Sequence, residues 1–316
     1  MIRSLMIATA LCLSAPALAK TITVEAGADA QERLQEALIL AEPGDVVELG
    51  KGRFDLTDGL SLDVDNVTVK GQGSDQSVLN FAGQLGAGEG LLVTSDNVTL
   101  RDFAIEDSKG DGIKSKGADQ IIYHAVRVEW TGGPKATNGA YGIYPVESKN
   151  VLVQDSVVRG ASDAGIYVGQ SDNIIVRRNT AVENVAGIEI ENSYNAEVTE
   201  NLATRNTGGI LVFDLPNLPQ MGGHNVLVAR NAVIDNNTDN FAPEGNIVAG
   251  VPAGTGVMVM ANLDVHVIEN ALINNSTAAV FVVAYTQKFD DPSYDPTARN
   301  VLVSKNIYSG FGFAPD

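Results

Sequence analysis

The chain has 316 residues, 39 acidic against 21 basic, and a formal charge of −18 at pH 7. A surface of that sign argues against nucleic acid and anionic membranes as partners, since binding either relies on lysine and arginine neutralising phosphates. The single cysteine, Cys12, excludes an internal disulfide framework.

Residues 1–19 read as an export signal. Arg3 supplies the positive start, residues 7–13 the apolar run, and Ala17-Leu18-Ala19 a small-residue cleavage site before Lys20. The apolar run is too short to span a bilayer, so no membrane insertion is expected. Cys12 lies inside it, which would leave the mature protein without cysteine and free to fold in any redox compartment. The expected location is periplasmic or secreted, and residues 20–316 are expected to form one domain, with residues 20–54 as an N-terminal cap.

In that cap, Thr21-Ile22-Thr23-Val24 predicts a short strand. Residues 29–41 have helical spacing, with Leu34, Ala37, Leu38 and Ala41 on one face. Pro43-Gly44-Asp45 stops the helix, and Val46-Val47-Glu48-Leu49 returns to strand.

From residue 55 onward a short phrase recurs, a glycine followed by an aliphatic and then alternating residues. It begins at Gly90, Gly112, Gly142, Gly165, Gly187, Gly209 and Gly256, in steps of 22, 30, 23, 22, 22 and 47 residues. A basal period near 22 with insertions at fixed phases predicts a β-solenoid of about nine coils. Within residues 165–186, three strands fall at residues 165–168, 173–176 and 180–182. Asparagine recurs before the second strand (Asn66, Asn97, Asn150, Asn173, Asn195, Asn225, Asn300) and at the next corner (Asn179, Asn201, Asn231, Asn270, Asn306). Five residues beyond four of the latter come Asn184, Asn206, Asn236 and Asn275. Asparagine tolerates left-handed backbone and bonds to nearby backbone, so these positions are read as corners and stacked ladders. A solenoid end exposes unpaired backbone and apolar interior, which is why a cap is required at residues 20–54.

This pattern, with Gln35-Glu36-Ala37-Leu38, Gly44-Asp45-Val46-Val47-Glu48-Leu49 and Gly52-Arg53-Phe54 where the coils begin, resembles the right-handed parallel β-helix proteins of the pectin-lyase-like superfamily. The resemblance covers nearly the whole mature chain. It implies an all-β fold and admits polysaccharide lyases, glycoside hydrolases and uronan epimerases, as well as copper-site maturation proteins, so the fold names no reaction. The Asp-Pro-His-Asp of alginate epimerases is absent here.

Function is expected along the outward face of the first strand. The strand period of two points Ile113, Ile143, Ile166, Ile188 and Ile210 inward and leaves Lys114, Tyr144, Tyr167, Glu189, Leu211, Met258 and Phe281 outside. A second outward row is Lys116, Val146, Gly169, Glu191, Phe213, Met260 and Val283. Insertions at residues 132–141, 215–224, 238–255 and 285–299 flank this strip and would make it a groove. The apolar residues Leu211, Phe213, Met258, Met260 and Phe281 must either be covered by those loops or offer a docking face to another exported protein.

Three chemistries suit the strip. Lys114, Tyr144 and Tyr167, aided by Lys116, Lys135, Asn138, Tyr141 and His224, would neutralise a uronate and move its proton, as a lyase or epimerase must. Glu189 and Glu191, about 7 Å apart by strand rise, suit the acid and base of an inverting glycosidase. With Asp214 they could also hold Ca²⁺, or be solvated surface only. The favoured expectation is an exported protein binding a polysaccharide or oligosaccharide along this groove, with lyase or epimerase chemistry first and glycoside hydrolysis second. A non-catalytic periplasmic scaffold is the alternative.

Overall fold

The computed structural model describes residues 19–86 and 88–316. The expected export signal therefore lies outside the described residues, apart from Ala19. Thr21–Val24 is a strand, the helix Ala30–Leu40 follows, and Val46–Leu49 pairs in parallel with Thr21–Val24. The helix buries Ala30, Leu34, Ala37 and Leu38 and packs on Thr21–Val24, Gly52–Asp55 and Leu60–Leu62, closing the first coil.

Beyond it the chain winds through three parallel sheets of 9, 11 and 10 strands. Each coil gives one strand to each sheet, so consecutive coils pair strand on strand. Gly165 lies in the first-sheet strand Ala164–Gly169, followed by Asp172–Arg177 in the second sheet and Thr180–Val182 in the third. The inward isoleucines Ile113, Ile143, Ile166, Ile188 and Ile210 are fully buried in one continuous interior core.

The asparagine series divide by role. Asn66, Asn97, Asn150, Asn173, Asn195, Asn225 and Asn300 take φ between 52° and 59°, the left-handed corner before the second sheet. The other two series are ladders. Asn184 Nδ2 donates to Asn206 Oδ1 at 3.0 Å, Asn206 to Asn236 at 2.9 Å and Asn236 to Asn275 at 3.1 Å, while each side chain also donates to a backbone carbonyl. Asn179, Asn201, Asn231, Asn270 and Asn306 repeat the arrangement one corner earlier. A buried amide satisfied on both sides by its own kind keeps the stack in register, since a slipped coil would orphan polar groups. No helix among the described residues is long and apolar enough to cross a membrane.

Candidate functional site

The glycine phrase sets the register of the first sheet. Lys114 pairs with Tyr144, Tyr167 with Glu189, Glu189 with Leu211, Leu211 with Met258 and Met258 with Phe281. One step on, Gly169 pairs with Glu191, Glu191 with Phe213 and Phe213 with Met260. These residues point away from the interior, as the period of two requires, yet the strip is not open. Val248 and Val251, from the insertion at residues 238–255, pack over Leu211, Phe213 and Met258 in a second apolar cluster outside the solenoid. Leu211, Phe213 and Met258 are therefore covered, whereas Met260 and Phe281 are half-buried at the edge of the cluster. Glu189 and Glu191 are only 1% and 8% exposed, which corrects the reading of them as solvated surface.

Where the cover ends, a cavity of about 530 Å³ remains, lined by Tyr141, Asp163, Glu189, Glu191, Asn246 and Tyr285 together with residues 215–218. All four insertions reach it: the first through Tyr141, the second through Leu215, the third through Asn246 and the fourth through Tyr285. Insertions at the two edges of one sheet can converge only over the strip between them, so a short stretch of coils receives every loop.

Burial raises the pKa of every carboxyl around the cavity. Glu189 is fully buried beside Asp163 and Glu191, which raises its pKa well above the carboxylate range, and its Oε2 has no hydrogen-bond partner. Burial raises Glu191 to about 7, although the Tyr167 hydroxyl donates to its Oε1 at 2.6 Å. Asp163, also raised by burial to about 7, accepts from Asn246 Nδ2 at 2.9 Å. Behind them Asp111, raised by burial to about 6, accepts the Tyr141 backbone N–H at 3.1 Å.

Tyr141, Tyr144 and Tyr167 form an aromatic wall, with ring centroids 4.5 to 5.0 Å apart. Burial and the neighbouring carboxyls push the Tyr141 and Tyr167 phenols well above their ordinary range, so neither is a ready base near neutral pH. Gly169 makes room for this wall: a Cβ there would meet the Tyr167 ring at 2.4 Å. Any other residue would push the hydroxyl off Glu191.

Several expected site residues lie elsewhere. Lys114 is held by Glu89 at 3.2 Å, with its ammonium 4.9 Å from the Tyr144 ring centroid, and does not line the cavity. Lys116 pairs with Glu147 at 3.7 Å on the surface, and Lys135 is exposed in its loop. Asn138 braces that loop, donating to the Gly133 and Gly160 carbonyls. Phe213 belongs to the covered apolar cluster. Asp214 accepts the Gly222 and Gly223 N–H groups and lines a second cavity of about 520 Å³ with Tyr194 and Gln220. His224 stacks on Tyr194, centroids 4.4 Å apart, and lines neither cavity. Among the described residues no three His, Cys, Asp or Glu side chains are grouped closely enough to hold a metal ion, so Glu189, Glu191 and Asp214 form no such triad.

Asp163, Asp111, Asn246 and Tyr285 were absent from the sequence reading. Two of them had a signal: Asp111-Gly112 and Asp163-Ala164-Gly165 place an acid just ahead of the glycine phrase, at the mouth of the first strand. Asn246 and Tyr285 sit in insertions, where no period assigns a direction.

The family described as right-handed beta helix region matches residues 61–217. No curated protein matches the chain. Among solved structures, the A-module of the mannuronan C-5 epimerase AlgE6 of Azotobacter vinelandii is similar at 18% identity over 90% of this chain and 84% of that one, with a TM-score of 0.58. The AlgE4 A-module of the same organism shares 15% identity over 91% of this chain and 93% of that one, with a TM-score of 0.55. The periplasmic alginate epimerase AlgG shares 14% identity over 92% and 82%, with a TM-score of 0.52. At such identities the likeness is one of fold.

Proposed function

The chain belongs to the right-handed parallel β-helix proteins of the pectin-lyase-like superfamily, and from that premise we propose that it is an exported carbohydrate-active protein that hydrolyses a glycosidic bond in the cavity over its first sheet. The observation that carries this reading is the group Asp163, Glu189 and Glu191: three buried carboxyls around one cavity, with burial raising each of them. Hydrolysis needs one carboxylic acid that keeps its proton until it meets the leaving oxygen, and one carboxylate that activates water or attacks carbon.

Glu189 suits the acid. It is the most deeply buried of the three, and its free Oε2 leaves a proton with no competing acceptor. Glu191 suits the base, because the bond donated by Tyr167 favours its ionised form. The two start about 7 Å apart along the strand, which leaves room for the water of an inverting reaction. Tyr141 and Tyr285, which line the cavity, supply flat faces for sugar rings.

Lyase or epimerase chemistry on a uronate has less support. No lysine, arginine or histidine among the described residues lines the cavity, and Lys114 is already paired with Glu89. The docking alternative has less support, since Phe213 and Met258 are buried and Phe281 is half-buried.

The test is turnover on a panel of polysaccharides, with and without Ca²⁺. New reducing ends without ultraviolet-absorbing unsaturated ends, abolished by Glu189→Gln, are the expected result. Unsaturated ends abolished by Tyr167→Phe would establish a lyase instead. No turnover on any glycan would overturn the hydrolase reading.

A further inference from the structure

The cavity contains acids and no base. Asp163, Glu189 and Glu191 line it, Asp111 stands behind, and no lysine, arginine or histidine among the described residues faces it. Elsewhere on this protein most buried or half-buried acids have a cation: Glu106 has Arg53 and Arg127, Glu183 has Arg159 and Arg205, and Asp155 has Arg178. Glu189 stands apart. It is 1% exposed, lines the cavity and carries an oxygen with no hydrogen-bond partner. A buried, unpartnered acceptor beside two further carboxyls has for its natural complement a ligand cation bearing N–H donors.

We propose that the cavity selects a sugar carrying a free ammonium group, an unacetylated amino sugar within an oligosaccharide, whose ammonium donates to Glu189 and its neighbouring carboxyls. The inference rests on the hydrolase reading of the same cavity and names its substrate class. A divalent metal is a poorer complement, because the carboxyls are not grouped for coordination. An ammonium needs no closed coordination shell and can bond to one carboxyl while interacting with the others at longer range. The volume of about 530 Å³ lies in the range of small-ligand sites, and Tyr141 with Tyr285 offers aromatic faces to the ring and its charge. A uronate would bring a further carboxylate to a place that already holds three acids, and an N-acetylated sugar would bring a neutral amide.

The experiment is calorimetric titration of the whole protein at pH 7 with four tetrasaccharides of one linkage: β-1,4-linked glucosamine, N-acetylglucosamine, glucose and glucuronate. Glucosamine is expected to bind at least about ten-fold tighter than glucose and N-acetylglucosamine, and glucuronate weakest of the four. Glu189→Gln is expected to cut the ratio of glucosamine to glucose affinity by about five-fold or more. Asp163→Asn is the second variant, expected to lower the same ratio even if the first fails to fold. Equal or tighter binding of glucose, N-acetylglucosamine or glucuronate would overturn the proposal. Cleavage of the neutral chain without preference for the amine would leave the hydrolase reading standing and sink this one alone. No binding of any sugar would sink both.

Discussion

The outward faces of the third and first sheets are built by the same coils, and both carry rows of charge. On the third, arginine and glutamate alternate: Arg53 bonds to Glu106, Glu106 to Arg127, Arg127 to Glu129, Glu129 to Arg159, and Arg159 to Glu183, which also takes Arg205. Burial works against Glu183, yet its two arginines hold the carboxyl below its ordinary value. On the first sheet Glu189 and Glu191 are almost fully buried, have no cation, and are raised by that burial. The third-sheet ladder is a stacking device; the first-sheet cluster bears its burial penalty with no cation to offset it. Such an imbalance marks the first-sheet cluster as the candidate functional site.

The largest effect should come from taking the acid out of the cavity. Glu189→Gln, and likewise Glu191→Gln, is expected to lower turnover by about 10²- to 10⁴-fold. Glu183→Gln on the third sheet should leave turnover unchanged. Equal losses from both faces would break the comparison.

The next effect is on stability against pH. Asp163, Glu189 and Glu191 keep their protons to higher pH in the folded chain than in the unfolded one. Their contribution is therefore fully present below the ordinary carboxylate range and is lost as pH rises through about 7. Denaturant unfolding at pH 4.5 and pH 8 should show the wild type losing stability on the order of 3 kcal/mol over that window. Asp163→Asn with Glu191→Gln should flatten the curve, and an unchanged curve would mean that the carboxyls are not buried as described.

Gly169→Ala sharpens the site side further. The added Cβ collides with the Tyr167 ring and should displace its hydroxyl from Glu191. Overpacking of this kind costs about 1–3 kcal/mol, and the acidic limb of the pH–rate profile should move up as Glu191, the base, loses the donor that favours its ionised form. The smallest effect belongs to the third sheet. Glu183→Gln should cost no more than about 1 kcal/mol and less in high salt, since the partly exposed pairs are screened. A thermal melt at two salt concentrations measures it.

Much of the fold was legible because a solenoid repeats its constraints. Each coil restates where glycine must fall, which residues face inward and which corner needs asparagine. Ile113 through Ile210 and the ladder from Asn184 to Asn275 were accordingly placed from spacing alone. The same period put Tyr167, Glu189 and Glu191 on one outward strip, because a strand alternates its faces whatever lies above it. What covers that strip was not legible. Insertions carry no period, so nothing in the order of residues 238–255 says that Val248 and Val251 lie on Leu211 and Phe213, or that Asn246 reaches Asp163. The lysines were misjudged for the same reason: Lys114 looked free until Glu89 came within 3.2 Å of it.

The sequence by itself therefore determined the coil, its register and the direction of the side chains on the first strand, since local periodicity and backbone geometry suffice for these. Only the tertiary structure decided that the glutamates are buried rather than solvated, and that Asp163 joins them. Burial and charge pairing depend on which distant loops come to rest over the sheet, and that is a property of the assembled surface rather than of any repeat.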